Sequence, residues 1–299
     1  MAYISYLYEK GEVLSKRGRF MSQLIFIQDF PSDIAEGSVS SSLYGIFLFE
    51  EGASFTVDGT VYKTNGNTVL FLSPYQSLVW IQQPKACRKL SFHSDFYCIE
   101  YHKYEVACNG LLFNNAYLKP YVEISDTLFR HLYRITNHIR KERHRKKEEQ
   151  PFTSSIIKSY LQLLLALCSR EKEALEGQHS TIIDRQALLF EQLLEKHHLS
   201  ERRVCFYADQ LGVSSEVLSR KSRQAFRKTP TQLIQDRVII AAKRLLHLSD
   251  KSIKEIAILL NFQDEFYFSR YFKKATGLSP KHFRDEVGIS IIPFAQADR

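Results

Sequence analysis

The order of apolar and polar positions divides the chain into a part with the pattern of strands and a part with the pattern of helices. From about Tyr44 to Tyr101 the apolar residues form short runs rich in aromatic and β-branched side chains. These runs predict strands at Tyr44–Phe49, Ser54–Val57, Thr60–Lys63, Thr68–Leu72, Leu78–Gln82, 89–92 and 96–101. Asp58-Gly59 is a strong hairpin signal, because both turn residues must accept a positive φ. Short strands at this spacing favour an antiparallel barrel or sandwich.

After this region the apolar spacing becomes helical. Residues 125–142 and 153–168 predict two helices with apolar side chains at intervals of three and four residues. The second helix has a broad apolar face, which either belongs to the core or pairs with its copy in a second subunit. The residues proposed for such a dimer contact are Ile157, Leu161, Leu164 and Leu165. Residues 177–180 have the composition of a linker, and a separate helical domain is expected to begin near Asp184.

The last third of the chain contains one pattern twice, at a spacing of about 50 residues. Residues 207–213 and 256–262 each predict a short helix that ends in a residue tolerant of the left-handed conformation, Gly212 or Asn261. Each copy continues with an N-cap residue and a closing proline, which are Ser214 and Pro230 in the first copy and Asp264 and Pro280 in the second. Two helices joined by a tight turn form a helix-turn-helix unit, predicted here at residues 204–226 and 253–276.

The second helix of each unit has a polar face opposite its apolar one. Both helices present a Ser, then an Arg, then a basic residue three positions further on. Arg can donate two hydrogen bonds to guanine, Ser adapts to either base edge, and the more distant cation can reach a phosphate. The candidate DNA contacts are Ser215, Glu216, Ser219, Arg220 and Arg223 in the first unit, and Gln263, Glu265, Phe266, Ser269, Arg270, Lys273 and Lys274 in the second. The alternative is a solvated helix face without a partner.

Residues 252–284 resemble the second helix-turn-helix of the AraC/XylS family of transcription regulators. The matching residues are Ile256-Ala257, Asn261-Phe262, Tyr267-Phe268, Phe272-Lys273-Lys274, Gly277, Pro280 and Phe283-Arg284. The resemblance covers residues 190–284 and implies a domain of seven helices. It also implies two recognition helices in successive major grooves, joined by a long helix at residues 231–248.

The resemblance implies an α+β protein of two domains. A cupin-like sensor domain, an antiparallel β-barrel, is expected at residues 1–122, followed by a helical dimerisation or linker segment at 123–180. An all-α DNA-binding domain is expected at 181–299. The partners implied are double-stranded DNA, RNA polymerase, a small-molecule effector and a second copy of the chain, so the protein is expected to be a homodimeric activator. No cofactor is expected.

The first unit departs from this pattern at three positions. Lys221 and Ser222 stand where the second unit has Tyr271 and Phe272, and residue 227 is an Arg where the repeat predicts Gly. Loss of one large buried aromatic contact weakens helix docking by about 1–3 kcal/mol. The sequence therefore predicts that the first unit is looser and contributes less base discrimination.

The charge of the chain supports a polyanionic partner for the helical part. Of a formal net charge of +8, the residues from Thr181 onward carry +6, with 20 Lys and Arg against 14 Asp and Glu. Charge of this size also serves solubility. The five cysteines are scattered without a metal-binding spacing, which indicates reduced thiols. Neither a signal peptide nor an apolar run of about 18 residues is found, so a cytoplasmic protein without a membrane partner is expected.

The strand region offers two further functional hypotheses. Aromatic residues suggest an effector pocket at Tyr44, Phe47, Phe49 and Trp80, and the alternative is that these rings are part of the core. No basic pair in the strands clearly marks a carboxylate or phosphate site, with Arg88 and Lys89 as the candidates. A metal-dependent cupin enzyme is the second hypothesis, but residues 44–72 contain no His, and His93 and His102 do not share a short strand. No metal and no enzyme activity are therefore expected. The remaining alternative is a degenerate cupin protein whose helical domain binds other proteins.

Overall fold

The described residues in the first part of the chain form eight strands, arranged in two antiparallel sheets. The computed structural model describes residues 24–31, 41–99, 111–113, 115–144, 152–179 and 185–288. The strands are β1 (Ile25–Pro31), β2 (Tyr44–Phe49), β3 (Ser54–Val57), β4 (Thr60–Lys63), β5 (Thr68–Leu72), β6 (Leu78–Gln82), β7 (Ala86–Phe92) and β8 (Tyr121–Glu123). One sheet has the order β1-β7-β2-β5-β8 and the other β4-β3-β6. Among the described strands the expected barrel thus takes the form of two separate sheets.

The larger sheet is buried on both faces. All six residues of β2 and all five of β5 are buried, and their side chains alternate between two apolar cores. Phe47 and Phe49 point toward the smaller sheet and meet Phe55, whereas Ile46 and Leu48 belong to a core that includes the helices after β8. Strands buried on both faces appear in the sequence as continuous apolar runs, which these two strands show. The result is three layers: helices, the larger sheet and the smaller sheet.

Five predicted strands have the bounds found in the structure, and two predictions differ. β7 begins at Ala86, three residues before the predicted start at 89. The prediction of a strand at 96–101 is wrong for residues 96–99, where the amides of Phe96 and Tyr97 both donate to the carbonyl of His93 in a turn. Residues 100 and 101 lie outside the described residues. The strands β1 and β8 were not predicted.

Two helices cover the larger sheet. Helix α1 (Asp126–Arg143) begins after Ser125, whose side chain accepts a hydrogen bond from the amide of Leu128. Helix α2 (Thr153–His179) continues well past its predicted end at position 168. Gly177 therefore lies within a helix, and the linker predicted at 177–180 is wrong as far as residue 179.

Seven helices follow within residues 185–288. They are α3 (Arg185–His197), α4 (Val204–Gln210), α5 (Ser215–Phe226), α6 (Pro230–Leu248), α7 (Ile253–Leu259), α8 (Glu265–Thr276) and α9 (Pro280–Val287). Helix α6 carries residues of two separate apolar cores. Leu233 and Ile234 pack with α3, α4 and α5, while Val238, Ala242 and Leu246 pack with α7, α8 and α9.

The strand domain contacts both halves of the helical domain. On the side of the first half, the Tyr117 hydroxyl donates to the Glu195 carboxylate at 2.6 Å. On the side of the second half, the Lys243 ammonium donates to the Pro74 carbonyl at 2.8 Å, and the Ser94 hydroxyl donates to the Val287 carbonyl at 2.8 Å. The chain is thus an α+β protein of two domains. The domain boundaries 1–122, 123–180 and 181–299 stay predictions.

Candidate nucleic-acid interface

The two predicted helix-turn-helix units occupy the predicted positions, α4–α5 and α7–α8. Both second helices begin with a side-chain cap. The Ser214 hydroxyl accepts from the amide of Val217 at 3.2 Å, and the Asp264 carboxylate accepts from the amide of Tyr267 at 2.7 Å. Such a cap satisfies one of the amides that lack a partner at a helix start. The two recognition helices α5 and α8 therefore start at equivalent places in the repeat.

The recognition helices also end alike. Arg227 and Gly277 follow the last helical residues with φ values of 58° and 82°, both in the left-handed region. Gly adopts this conformation without strain, whereas for an Arg it is unfavourable. The Arg at position 227 is thus a local weakness of the first unit, as its departure from the repeat suggested.

The turns inside the two units differ in length by one residue. Gly212 and Asn261, each directly after the C-cap residue of α4 or α7, take the left-handed conformation with φ values of 65° and 54°. Two residues after Gly212 comes the N-cap Ser214, but three residues after Asn261 comes the N-cap Asp264. The additional residue in the second turn is Gln263, and its side chain is exposed.

The candidate DNA contacts lie together on one exposed face of each recognition helix, apart from Gln263, which lies in the turn before α8. Ser219 and Ser269 are half-buried at the base of this face, and Arg220 and Arg270 are exposed beside them. The remaining members are exposed, apart from the half-buried Glu265; they are Ser215, Glu216, Arg223, Gln263, Phe266, Lys273 and Lys274. These two groups of residues are called the first and the second outward arc. No part of the described strand domain buries them.

Two members of the arcs also have a local structural role. Glu216 and Glu265 lie in the first turns of α5 and α8. A carboxylate there interacts favourably with the partial positive charge of the helix N-terminus. Phe266 has no such role, since 75% of its surface is exposed on an otherwise polar face.

The opposite faces of the recognition helices form cores of different composition. In the second unit, Phe262 lies 5.1 Å from Phe268 and 5.3 Å from Tyr271, measured between ring centres. Phe272 packs edge-on against Phe283 at 5.5 Å. This aromatic core holds α8 against α7 and α9.

Where the second unit has the ring of Phe272, the first unit has the hydrogen-bonded side chain of Ser222. Ser222 is buried, and its hydroxyl donates to the carbonyl of Lys228 at 2.7 Å. Phe226 and Leu218 supply the apolar contacts of α5. Burial of Ser222 therefore leaves its polar group satisfied, at the cost of the apolar surface that a ring would contribute.

Comparisons with known proteins agree with this geometry. A family model described as a helix-turn-helix domain matches residues 207–286. The HTH-type transcriptional activator RhaS of Escherichia fergusonii is 31% identical over 125 residues, which are 42% of this chain and 44% of RhaS. The chain thus matches less than half of that relative's length. The match to the helix-turn-helix family spans both units of the repeat.

Two solved structures are similar to parts of the chain. The C-terminal domain of AraT, a response regulator from Geobacillus stearothermophilus, is 27% identical and covers 39% of this chain and 95% of that domain, with a TM-score of 0.34. An apo structure of a ToxT variant from Vibrio cholerae is 15% identical and covers 89% of this chain and 98% of ToxT, with a TM-score of 0.41.

The helix-turn-helix domain carries the arcs, and the predicted effector residues lie elsewhere, in the strand domain. Tyr44 stacks on Phe92 in the core beneath the helices, with ring centres 5.2 Å apart. Phe47 and Phe49 instead meet Trp80 between the two sheets, at 6.4 and 5.6 Å. The four residues therefore do not surround one common space, and aromatic rings fill the region between the sheets.

A cavity of about 330 Å³ lies between the larger sheet and α1. Arg88 lies in its wall, 4% exposed, where it donates to Asp29 at 2.6 Å and stacks at 3.5 Å on the ring of Tyr133. Arg130 and Arg134 are exposed at the side of α1. The sequence shows Arg88 as one of two adjacent basic residues. It does not show the cavity, because the α1 residues that line the other wall are more than 40 positions from Arg88 in the chain.

The four residues proposed for dimer contact are buried within the chain itself. Ile157, Leu161, Leu164 and Leu165 are inaccessible to solvent in the core between α2, α1 and the larger sheet. These four side chains therefore belong to the core, which was the alternative to a dimer contact. The outer face of α2 presents Ile156 and Leu163, which are 37% and 44% exposed.

Neither a metal cluster nor a membrane span occurs among the described residues. No three of their His, Cys, Asp or Glu side chains are grouped to hold a metal ion. The Nε2–H of His93 donates at 3.2 Å to the Glu286 carbonyl at the domain contact, and His102 lies outside the described residues. None of the described helices is long and apolar enough to cross a membrane.

Proposed function

We propose that the protein is a sequence-specific DNA-binding transcription regulator of the AraC/XylS type. The observation that carries this proposal is the repetition of one exposed arc on two equivalently capped helices. Ser219, Arg220 and Arg223 recur as Ser269, Arg270 and Lys273, at equivalent positions of the repeat and on the same face. A solvated helix face has no need of such a repeat, whereas base and phosphate contacts require these residue types together.

Selection of bound sites from random double-stranded DNA with the full-length protein tests the proposal. We expect a recovered site with two elements about 34 Å apart, which is one helical turn of DNA. The double variant Arg220→Ala, Arg270→Ala is the matched control and should recover no common site. Recovery of no common sequence by the unmodified protein, or an affinity that does not change with salt concentration, would refute the proposal.

The same proposal includes a homodimer. Because the residues of α2 first proposed for the contact are buried in the core, another face of α2 must form it. Contact between two copies would use the outer face of the helix, around Ile156 and Leu163, since Leu161 and Leu164 are fully buried. Sedimentation of the unmodified protein and of the double variant Ile156→Glu, Leu163→Glu tests this. A dimer that survives both substitutions would place the contact elsewhere.

For a small-molecule effector, the cavity beside Arg88 is a better candidate than the space between the sheets, which aromatic side chains fill. Its wall combines the Tyr133 and Phe129 rings with the cations of Arg130 and Arg134 and the carboxylates of Asp29 and Glu50. Since Asp29 is already paired with Arg88 and Arg140, the cations outnumber the unpaired carboxylate, and the lining suits a small planar anion. Thermal unfolding of the protein with a panel of aromatic carboxylates tests this site. Stabilisation that is lost in the double variant Arg130→Ala, Arg134→Ala supports it, and no stabilisation by any member contradicts it.

A further inference from the structure

We propose that Arg202 is a strut between the two helix-turn-helix units, and that it determines which spacing between two DNA elements the protein accepts. This inference rests on the proposed function and adds a positioning residue outside both outward arcs. Arg202 lies two residues before α4, the first helix of the first unit, yet its side chain contacts the turn of the second unit.

Three contacts join Arg202 to the second turn. Its guanidinium donates from Nη1 to the carbonyl of Asn261 at 3.3 Å and from Nη2 to the carbonyl of Leu260. The guanidinium carbon lies 3.8 Å from the ring centre of Phe262. A fourth contact runs in the opposite direction, because the side-chain amide of Asn261 donates to the carbonyl of Ser200 at 3.4 Å. Residues 200–202 and 260–262 thus bind each other from both sides.

These contacts lie where they can affect the position of the recognition helix α8. Leu260 caps the C-terminus of α7, and a helix end has carbonyls without partners and a partial negative charge, which a guanidinium complements. Phe262 is buried in the aromatic core that holds the recognition helix α8. A displacement of Arg202 is therefore transmitted to α8 through well-packed rings.

The other end of the strut is anchored in the first unit. The hydroxyl of Tyr207, a fully buried residue of the first core, donates to the carbonyl of Glu201 at 2.8 Å. The carboxylate of Glu201 in turn accepts from the amides of Arg202 and Arg203 at 3.0 and 3.1 Å. The path from Tyr207 through Glu201 and Arg202 to Phe262 therefore connects one core with the other.

Helix α6 connects the two cores, the strand domain contacts both halves from one side, and the strut joins the two units directly at a different place. A single helix between two compact bodies permits bending at either end of the helix, whereas two separate connections restrict that movement. The geometry of Arg202 suits this task. Its planar fork reaches two carbonyls while stacking on a ring, an arrangement that the single ammonium of a Lys does not reproduce.

The test uses the full-length protein and DNA carrying both selected elements at the native spacing, at spacings altered by 1, 2 and 5 base pairs, or one element alone. The variants are Arg202→Ala and Arg202→Lys. Arg203→Ala is the matched control, because Arg203 is the neighbouring cation and is 73% exposed. Among the described residues its side chain is hydrogen-bonded only to the Glu201 carboxylate, so the variant keeps the main-chain bonds of the strut and every contact of Arg202 with the second unit. Affinities are measured at one fixed salt concentration.

We expect Arg202→Ala to bind the native spacing about tenfold more weakly, because a loosened pair of units loses part of its avidity. Its affinity should also depend less on spacing than that of the unmodified protein, and its affinity for one element should be unchanged. Arg202→Lys should lie between the two, and Arg203→Ala should match the unmodified protein. An unchanged spacing profile for Arg202→Ala would overturn the proposal, as would an equal loss at every spacing and at the single element.

A second measurement separates this inference from the proposed function. Spin labels attached at Gln224 and Lys281, both exposed, report the distance between the two units in the absence of DNA. We expect a narrow distance distribution that broadens in Arg202→Ala and not in Arg203→Ala. If the unmodified protein selects no DNA, the proposed function fails. The distance measurement would still show whether Arg202 holds the two units at a fixed distance. An unaltered distribution in Arg202→Ala would contradict the strut even where DNA binding is demonstrated.

Discussion

Ser222 and Phe272 occupy equivalent positions in the two recognition helices, and both side chains are buried. The same place in the fold is thus filled by a hydroxyl that donates to a main-chain carbonyl and by a ring that packs on two others. Unequal packing of two units with similar outward arcs has consequences for stability and for DNA recognition.

Truncation at the two positions should have unequal effects on the free energy of unfolding. Phe272→Ala should lower it by about 3–5 kcal/mol, because a buried ring is removed and a cavity is left. Ser222→Ala should lower it by about 1 kcal/mol, because the Lys228 carbonyl loses one hydrogen bond. Urea unfolding followed by circular dichroism measures both values. Equal losses would show that the first unit depends on position 222 as strongly as the second depends on its ring.

Base discrimination should be concentrated in the second unit. Arg270→Ala should relax the preference at its base pair by about 1–3 kcal/mol, since a bidentate contact to guanine is lost. Arg220→Ala should relax preference by less, because α5 has the hydrogen-bonded Ser222 where α8 has a packed ring, and because α5 precedes an unfavourable left-handed Arg. Site selection with each variant gives the comparison. Greater relaxation with Arg220→Ala would contradict the predicted order of the two units.

Lys273 is expected to contact phosphate and not a base. Lys273→Ala should weaken binding similarly for all sequences and reduce the slope of log affinity against log salt by about 1. Lys85→Ala, which removes an exposed cation paired with Glu51 in the strand domain, is the control and should leave the slope unchanged. A changed base preference in Lys273→Ala would instead assign the side chain to base contact.

The role of Phe266 can be tested by changes in the DNA, combined with a variant of the protein. A thymine methyl group is the part of a base edge that an exposed aromatic ring contacts most favourably. Replacement of single thymines by uracils in the selected site should therefore weaken binding at one position, and Phe266→Ala should abolish that difference. If no thymine-to-uracil change distinguishes Phe266→Ala from the unmodified protein, the ring has another role.

The pKa of His198 predicts how stability changes with pH. Burial, with the nearby charge of Arg237, lowers this pKa below its ordinary value of 6.5, and the ring nitrogen Nδ1 lies 3.0 Å from the carbonyls of Leu194 and Glu195. The unfolded chain therefore takes up a proton at His198 more readily than the folded chain does. Consequently, the free energy of unfolding should fall as the pH is lowered through about 6.5.

His198→Asn isolates this contribution, since Asn retains a side-chain donor but does not titrate. Urea unfolding at pH 7.5 and pH 5.5 should show a smaller loss of stability in this variant than in the unmodified protein. The other histidines contribute equally to both proteins, so the difference reports on His198 alone. A loss of equal size in both would refute the prediction.

The sequence predicted those elements whose pattern is decided locally. The bounds of β2 and β5 follow from continuous apolar runs, and the outward arcs follow from helical periodicity, which needs no knowledge of distant residues. Strand β1 was not predicted because its run contains Asp29. That carboxylate becomes favourable in a strand only when Arg88, 59 residues later, lies opposite it in the sheet.

Two other differences have the same origin. Phe96 and Ile99 are buried, yet they belong to a turn and not to a strand, and burial in a turn leaves the same apolar signal in the sequence. Arg202 was not singled out because its partners lie near residue 261, and no periodicity relates the two places. Contacts between distant segments therefore required the structure.

A change in the length of helix α6 would alter both the distance and the angle between the two helix-turn-helix units. Its 19 residues extend over about 28 Å, and insertion of one residue would shift the second unit by about 1.5 Å and rotate it by about 100° around the axis. Such a rotation would turn one recognition helix away from the duplex that the other faces. New spacings between DNA elements are therefore accessible to descendants of this chain only by whole turns of the helix, or by changes at its two ends.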